Sequence, residues 1–244
     1  MEILSFGGGR RLRECQRLLE ITSGGLTGRL ILLPIPTTRD NIYLNGSDMP
    51  LSSVSSLLRP GDTLAGYGIV PHLAPEGVSV YDAALDERFL YENALISARG
   101  ALGYILTNFP RDIADMSLGL VGYGRIGRAL LRYLLALGAD PTVYTRREEI
   151  ALELGADGVK CSVLQSESDL SSLDILINTT PQRQIDESRL GKETVILDLA
   201  SGSIFSDSPR LVKLASIPEA YYPLTAGRLY AEGILRHMDM EVNL

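Results

Sequence analysis

The sequence predicts an α/β fold in two domains, and three observations carry that prediction. Short apolar runs alternate with helix-period stretches along the chain, the pattern of a mostly parallel sheet with helices on its faces. A glycine-spaced turn, Gly122-Tyr123-Gly124-Arg125-Ile126-Gly127, joins an apolar run to a helical one near the middle. One long helical stretch, Asp86 to Phe109, separates the two series. The expected architecture is a Rossmann-type doubly wound parallel sheet over residues 110–224. A flavodoxin- or Rossmann-like N-terminal α/β domain precedes it over residues 1–109, and the C-terminal helix, 225–244, completes that first domain.

In the first half, Glu2-Ile3-Leu4-Ser5-Phe6 reads as a strand and Gly7-Gly8-Gly9 as a turn. Leu12, Cys15, Leu18 and Leu19 then mark one helix face. Leu30 to Leu33 is a buried strand that ends in the polar loop Pro34 to Asn41. Ser52 to Leu58 reads as a short helix, and Thr63 to Tyr67 and Val78 to Tyr81 as strands. In the long helix Leu90, Ala94, Ala98, Ala101, Leu102 and Ile105 lie near one face, and Pro110 ends it. Strands follow at Gly119–Val121, Pro141–Thr145, Leu173–Asn178 and Thr194–Leu197, with a helix at Glu148–Leu154. The last helix, Thr225 to Met238, returns to the first half. Tyr67, Tyr81, Tyr91 and Tyr104 read as core or interface rings.

The glycine-spaced turn has a physical logic. Gly122 permits the tight turn, Gly124 lets backbone N–H groups approach a pyrophosphate, and Gly127 lets the helix pack against the strand. The helix N-terminus favours the anionic phosphates. With no ligand the same glycines would serve an ordinary α/β turn. In such sheets ligands sit outside the carboxyl ends of the strands. A cofactor with unmodified ribose hydroxyls calls for an acidic residue about 20 residues past the glycines. Thr145, Arg146 and Arg147 stand there instead, so NADP is expected in preference to NAD, with NAD still open. Thr179, Thr180 and Pro181 follow another strand and leave room for a nicotinamide ribose; Ala200 and Ser201 follow the next. Gly7-Gly8-Gly9 with Arg10-Arg11 imitates a phosphate loop but lacks the third spaced glycine.

Composition excludes other classes. The chain has 244 residues, 45% hydrophobic and 22% charged, with net charge −7 and no basic block, so nucleic acid is not an expected partner. No apolar run is long enough to span a bilayer and no signal-peptide pattern opens the chain, so no membrane partner is expected. Cys15 and Cys161 stand far apart, and His72 and His237 are few and scattered; a reduced, cytoplasmic protein without a metal site is expected. A homo-oligomer is expected.

Beyond its glycine turn the chain resembles the A-type subunit of dipicolinate synthase. The resemblance is carried by Gly122 to Gly127, Ile177-Asn178-Thr179, Asp198-Leu199-Ala200-Ser201 and Thr225-Ala226-Gly227, with Leu33-Pro34-Ile35-Pro36-Thr37 matching an amino-terminal loop. It implies oxidation of a dihydrodipicolinate-type cyclic dicarboxylate to dipicolinate with a nicotinamide cofactor, in the mother cell of a sporulating bacterium. It also implies a separate flavoprotein-like partner. Leu224 stands where that family has a lysine, so a second reading stays open: a catalytically silent protein that binds a nucleotide as an accessory or sensor. A D-2-hydroxyacid dehydrogenase has a similar plan, yet the arginine and histidine it needs fall on Ser201 and Leu224 here.

A dicarboxylate needs donors and positive charge. Thr37, Thr38 and Arg39, in the loop after a buried strand, are the candidates to hold it, with Tyr222 and Thr225 on the approach to the last helix; Arg99 is a further cation. The alternative for that loop is a surface turn capped by Asp40. No residue stands out as general acid or base. Aromatisation of a dihydropyridine makes hydride departure the main event, so orientation suffices.

Overall fold

The computed structural model describes residues 1–22, 28–68, 73–164, 170–181, 185–200, 205 and 208–239. The chain forms two compact units, Met1–Asn93 with Pro218–Leu244, and Ala94–Ile217. The division falls inside the long helix rather than after it.

The first unit contains β1 (Glu2–Ser5), α1 (Arg10–Thr22), β2 (Arg29–Leu32), α2 (Val54–Leu57), β3 (Thr63–Gly66) and β4 (Ser79–Asp82). Its sheet is parallel and ordered β1-β2-β3-β4. Sequence order and spatial order coincide, so no strand reversal opens a crevice. Ile31, Leu33, Leu44, Val54 and Leu64 pack into one buried cluster. The stretch expected as one helix at Ser52–Leu58 is a 3-10 turn, Leu51–Ser53, followed by the single turn α2.

The helix α3 (Glu87–Asn108) begins at Asp86, whose Oδ1 accepts from the Phe89 N–H at 3.0 Å. Tyr91, expected as a core or interface ring, is not in the core: it is exposed on this helix. Beyond it come β5 (Leu118–Val121), α4 (Arg125–Ala136), β6 (Thr142–Thr145), α5 (Glu148–Ala156), β7 (Cys161–Val163), β8 (Ile175–Asn178), β9 (Val195–Asp198) and β10 (Leu211–Lys213). The sheet is parallel, in the order β10-β9-β8-β5-β6-β7. That is the strand order of the Rossmann dinucleotide-binding fold, with the switch point between β5 and β8. Side chains alternate between two buried clusters. Leu120, Ile175, Ile177 and Leu197 join one with Leu130 and Leu134 of α4, while Val121, Leu176 and Ile196 join the other. A sheet buried on both faces explains the continuous apolar runs. Sequence reading missed β7 and β10, short half-buried edge strands without such a run.

The chain returns to the first unit through α6 (Ile217–Tyr221) and α7 (Pro223–His237), the latter opening on a proline that suits a helix's first position. The Tyr230 hydroxyl donates to the Leu33 carbonyl at 3.0 Å, and a Cβ at Gly227 would lie 2.6 Å from Glu14 Cβ and 2.8 Å from the Arg11 carbonyl. Gly227 therefore lets α7 cross α1 closely, which accounts for the glycine of Thr225-Ala226-Gly227 as packing.

Candidate dinucleotide site

The Rossmann crevice is built from the ends of β5 and β8. Gly122 has φ +93°, and a Cβ there would lie 2.7 Å from Thr179 Oγ1. Only glycine suits both constraints. A Cβ at Gly127 would overlap the Gly122 carbonyl oxygen, so α4 packs directly on the turn. At Gly124 a Cβ would meet nothing within 4 Å. Gly124 is also the N-cap of α4 and offers no side-chain cap, so the helix's positive end is left to other acceptors. Two of the glycines are thus explained by protein contacts, while the middle one faces open space at a helix N-terminus, an end that favours anions.

The neighbouring strand ends stiffen this cradle. The Thr179 N–H and Oγ1 both donate to the Val121 carbonyl, at 3.0 and 2.9 Å, so its hydroxyl props the turn. Asn178 is buried; its Nδ2 donates to Asp198 Oδ1 at 2.8 Å and to the Thr180 carbonyl at 2.9 Å. Asp198, also buried, accepts from the Ala200 N–H at 3.2 Å. This clasp across β8 and β9 was absent from the sequence-based site. Its signal was two polar residues ending apolar strands that pair in register. Thr180 and Ala200 are half-buried beside the clasp and Pro181 is exposed; Ser201 lies outside the described residues.

Thr145, at the end of β6, is buried, and its Oγ1 accepts from the Arg147 N–H at 3.2 Å. Arg146 and Arg147 are exposed, with Arg147 as the N-cap of α5. Tyr123 is half-buried and carries the Arg128 guanidinium 4.8 Å from its ring centre, while Arg125 is exposed and Ile126 packs against the core.

The expected substrate residues belong to the first unit. Thr37 is buried, and its Oγ1 accepts from the Tyr67 N–H at 2.7 Å, tying the loop to the end of β3. Thr38 Oγ1 donates to Asp40 Oδ1 at 3.2 Å and accepts from the Asn41 N–H at 2.9 Å. The N–H groups of Tyr43 and Ile42 hold the Asp40 carboxyl below its ordinary range. Arg39 is exposed, with Nε 3.1 Å from Asn45 Oδ1. Tyr222 is 36% exposed at the N-cap of α7, Thr225 is half-buried, and Leu224 is exposed. Arg99, in the second unit, stacks 5.7 Å from the Tyr133 ring centre.

The glycines after β1 are accounted for by the protein itself. A Cβ at Gly7 would lie 2.8 Å from Pro34 Cγ, one at Gly8 would lie 3.0 Å from the Gly46 carbonyl, and one at Gly9 would overlap the Glu219 carboxylate. Glu219 Oε1 accepts from the Arg10 N–H at 2.6 Å. The next residue, Arg11, is buried; burial pulls its guanidinium down to about 10, and Glu219 works against that shift. Gly7-Gly8-Gly9, which imitates a phosphate loop without its third spaced glycine, thus faces a carboxylate of the same chain rather than open space.

Comparison with known proteins agrees with this geometry. Residues 104–213 match the D-isomer specific 2-hydroxyacid dehydrogenase, NAD binding domain. A glyoxylate reductase of Thermococcus onnurineus (strain NA1) is 34% identical over 121 residues, 47% of this chain and 36% of that protein. The chain spans about a third of the length of the curated relatives it matches. Among solved structures, a dipicolinate synthase chain from Bacillus halodurans superposes with a TM-score of 0.79 at 18% identity, covering 98% of both chains. Its counterpart from Bacillus subtilis superposes with a TM-score of 0.74 at 18% identity, over 98% of this chain and 96% of that one. At such identity the likeness establishes the fold. Among the described residues no helix is long and apolar enough to cross a membrane, and no group of at least three His, Cys, Asp or Glu side chains is placed to hold a metal.

Proposed function

We propose that the chain is a nicotinamide-dependent oxidoreductase acting on a small cyclic dicarboxylate of the dihydrodipicolinate type. The observation that carries the reading is the open position over Gly124 at the switch point of a Rossmann sheet. The match of residues 104–213 to an NAD binding domain supports it, and the whole-chain likeness to dipicolinate synthase suggests the substrate class. Gly122 to Gly127 and the first turn of α4 would hold the pyrophosphate. Exposed Arg146 and Arg147 would favour the 2′-phosphate of NADP, with NAD the alternative. The bound nicotinamide would accept the hydride, and the departing proton would pass to water as the ring becomes aromatic. Arg39, braced by Asn45 and by the Thr37 and Thr38 turn, would pair with a substrate carboxylate, with Tyr222 and Thr225 beside it.

The 2-hydroxyacid dehydrogenase reading draws support from the same match and from the glyoxylate reductases. The match ends at residue 213, before Leu224, which stands where that chemistry places its histidine. It therefore supports the cofactor more than the reaction. Leu224, standing where the dipicolinate synthase family has a lysine, favours another alternative, a silent accessory protein.

Incubating the protein with the cyclic dicarboxylate and NADP⁺ or NAD⁺ separates these. Dipicolinate formed by the protein alone is expected. Formation only with a flavoprotein-like partner would indicate a split enzyme, and reduction of glyoxylate when NADPH or NADH is supplied, without dipicolinate formation, would favour the hydroxyacid reading. Arg39→Ala should weaken substrate binding about ten- to a hundredfold, roughly 1.5–3 kcal/mol, with cofactor affinity unchanged. Unchanged substrate affinity would remove Arg39 from the site.

A further inference from the structure

The glycines after β1 are explained by packing, but the second arginine behind them is not. Arg11 lies in the first turn of α1 and is only 5% exposed, a place guanidinium groups occupy when they are paired. Glu219, Tyr230, Cys15 and Tyr67 stand close enough to act on its charge, so α1, α6, α7 and the carboxyl end of β3 meet around this side chain. Although burial lowers it to about 10, the group is still a cation at neutral pH.

That cation has no partner within the chain. A buried arginine that braces a fold donates to the carbonyls or carboxylates around it. Among the described residues, the Arg11 side chain makes no hydrogen bond and no ion pair. Glu219 Oε1 accepts instead from the Arg10 N–H at 2.6 Å, and the Tyr230 hydroxyl donates to the Leu33 carbonyl. Arg11 Nε is sealed from solvent, whereas Nη1 and Nη2, equally unpaired, stay in reach of water. Those two nitrogens form the fork that a carboxylate fits. The Tyr67 hydroxyl also makes no hydrogen bond among the described residues and is a further donor. Thr37 Oγ1 holds the Tyr67 N–H at 2.7 Å, so these donors adjoin the loop of Thr37, Thr38 and Arg39.

We propose that Arg11 binds one carboxylate of a small cyclic dicarboxylate through Nη1 and Nη2, with Arg39 left for the other. The substrate class rests on the oxidoreductase reading, while the anion site rests on Arg11 itself. Glu219 acts on the same cation and would repel a second negative charge, so a carboxylate fits better than a phosphate dianion.

The test titrates dipicolinate into the full chain by calorimetry, with and without NADPH, and uses picolinate as the one-carboxylate control. Dipicolinate should bind at least about tenfold more tightly than picolinate. Arg11→Met should weaken dipicolinate about ten- to a hundredfold and erase that difference. The same variant should melt no lower than the parent, because it removes a buried charge that braces nothing. Arg11→Lys, which keeps the charge without the fork, should bind dipicolinate with an affinity between those of parent and Arg11→Met. Unchanged dipicolinate affinity in Arg11→Met, equal affinity of the parent for the two acids, or a lower melting temperature in Arg11→Met would overturn the proposal. Binding is read without turnover, so a failure to form dipicolinate would count against the oxidoreductase reading alone.

Discussion

The loop after β1 and the loop after β5 are both glycine-rich and both lead into a helix with arginine in its first turn. After β1, Pro34, Gly46 and the Glu219 carboxylate each stand within van der Waals reach of where a methyl group would go. After β5, the middle glycine faces open space. Sheet order explains the difference. β1 is an edge strand in a sheet whose spatial order follows the chain, so the loop after β2 folds over its end. β5 lies at the centre of its sheet, beside β8, where connections diverge to opposite sides and leave a crevice. A glycine-rich loop is thus left open only where topology keeps other chain segments away. Elsewhere its glycines serve close packing.

The comparison can be broken by substitution. The largest effect is expected at Gly127→Ala, where the new methyl would overlap a backbone carbonyl: a loss of about 3 kcal/mol in denaturant unfolding, with dinucleotide binding lost as well. Gly9→Ala should cost about 1–2 kcal/mol, because φ is +123° and the Glu219 side chain must move, and it should leave dinucleotide affinity unchanged. Gly124→Ala should reverse that pattern. Stability should change by less than about 1 kcal/mol, while dinucleotide affinity falls about tenfold. A Gly9 variant that lost dinucleotide affinity, or a Gly124 variant that kept it, would merge the two loops again.

A smaller contrast concerns pH. Among the described residues, the carboxyls held below their ordinary range, Glu14, Asp40 and Asp86, all belong to the first unit. Burial pushes Asp86 up, but the Phe89 N–H, the Tyr81 hydroxyl and Arg236 outweigh it and the net shift is downward. A carboxyl with a lowered folded pKa stabilises the fold above its unfolded value and loses that contribution as pH falls through the folded value. Melting temperature should therefore drop as pH falls below 3.8, and Asp86→Asn should flatten that dependence. An identical acid profile for variant and parent would remove Asp86 as a contributor.

Legibility in the sequence followed the range of the interaction. The turn from Val121 to Gly127 is local, so its spacing and flanking periodicity sufficed. The Asn178–Asp198 clasp depends on the register between β8 and β9, and no local pattern states a register. Thr37 carries a hydroxyl that suits a ligand, yet its partner is the Tyr67 N–H thirty residues on. Gly9 is answered by Glu219, near the other end of the chain. Arg11 meets Tyr67, Glu219 and Tyr230, a gathering that only the packing of α6 and α7 against α1 creates.

The most direct measurement is calorimetric titration of NADPH and NADH into the parent protein and into Gly124→Val. One site per chain, tighter for NADPH, and its loss in the variant with the melting temperature preserved are the predicted results. Absence of binding by either dinucleotide at about millimolar concentration, near −4 kcal/mol, or full binding by Gly124→Val, would contradict the assignment of the crevice after β5.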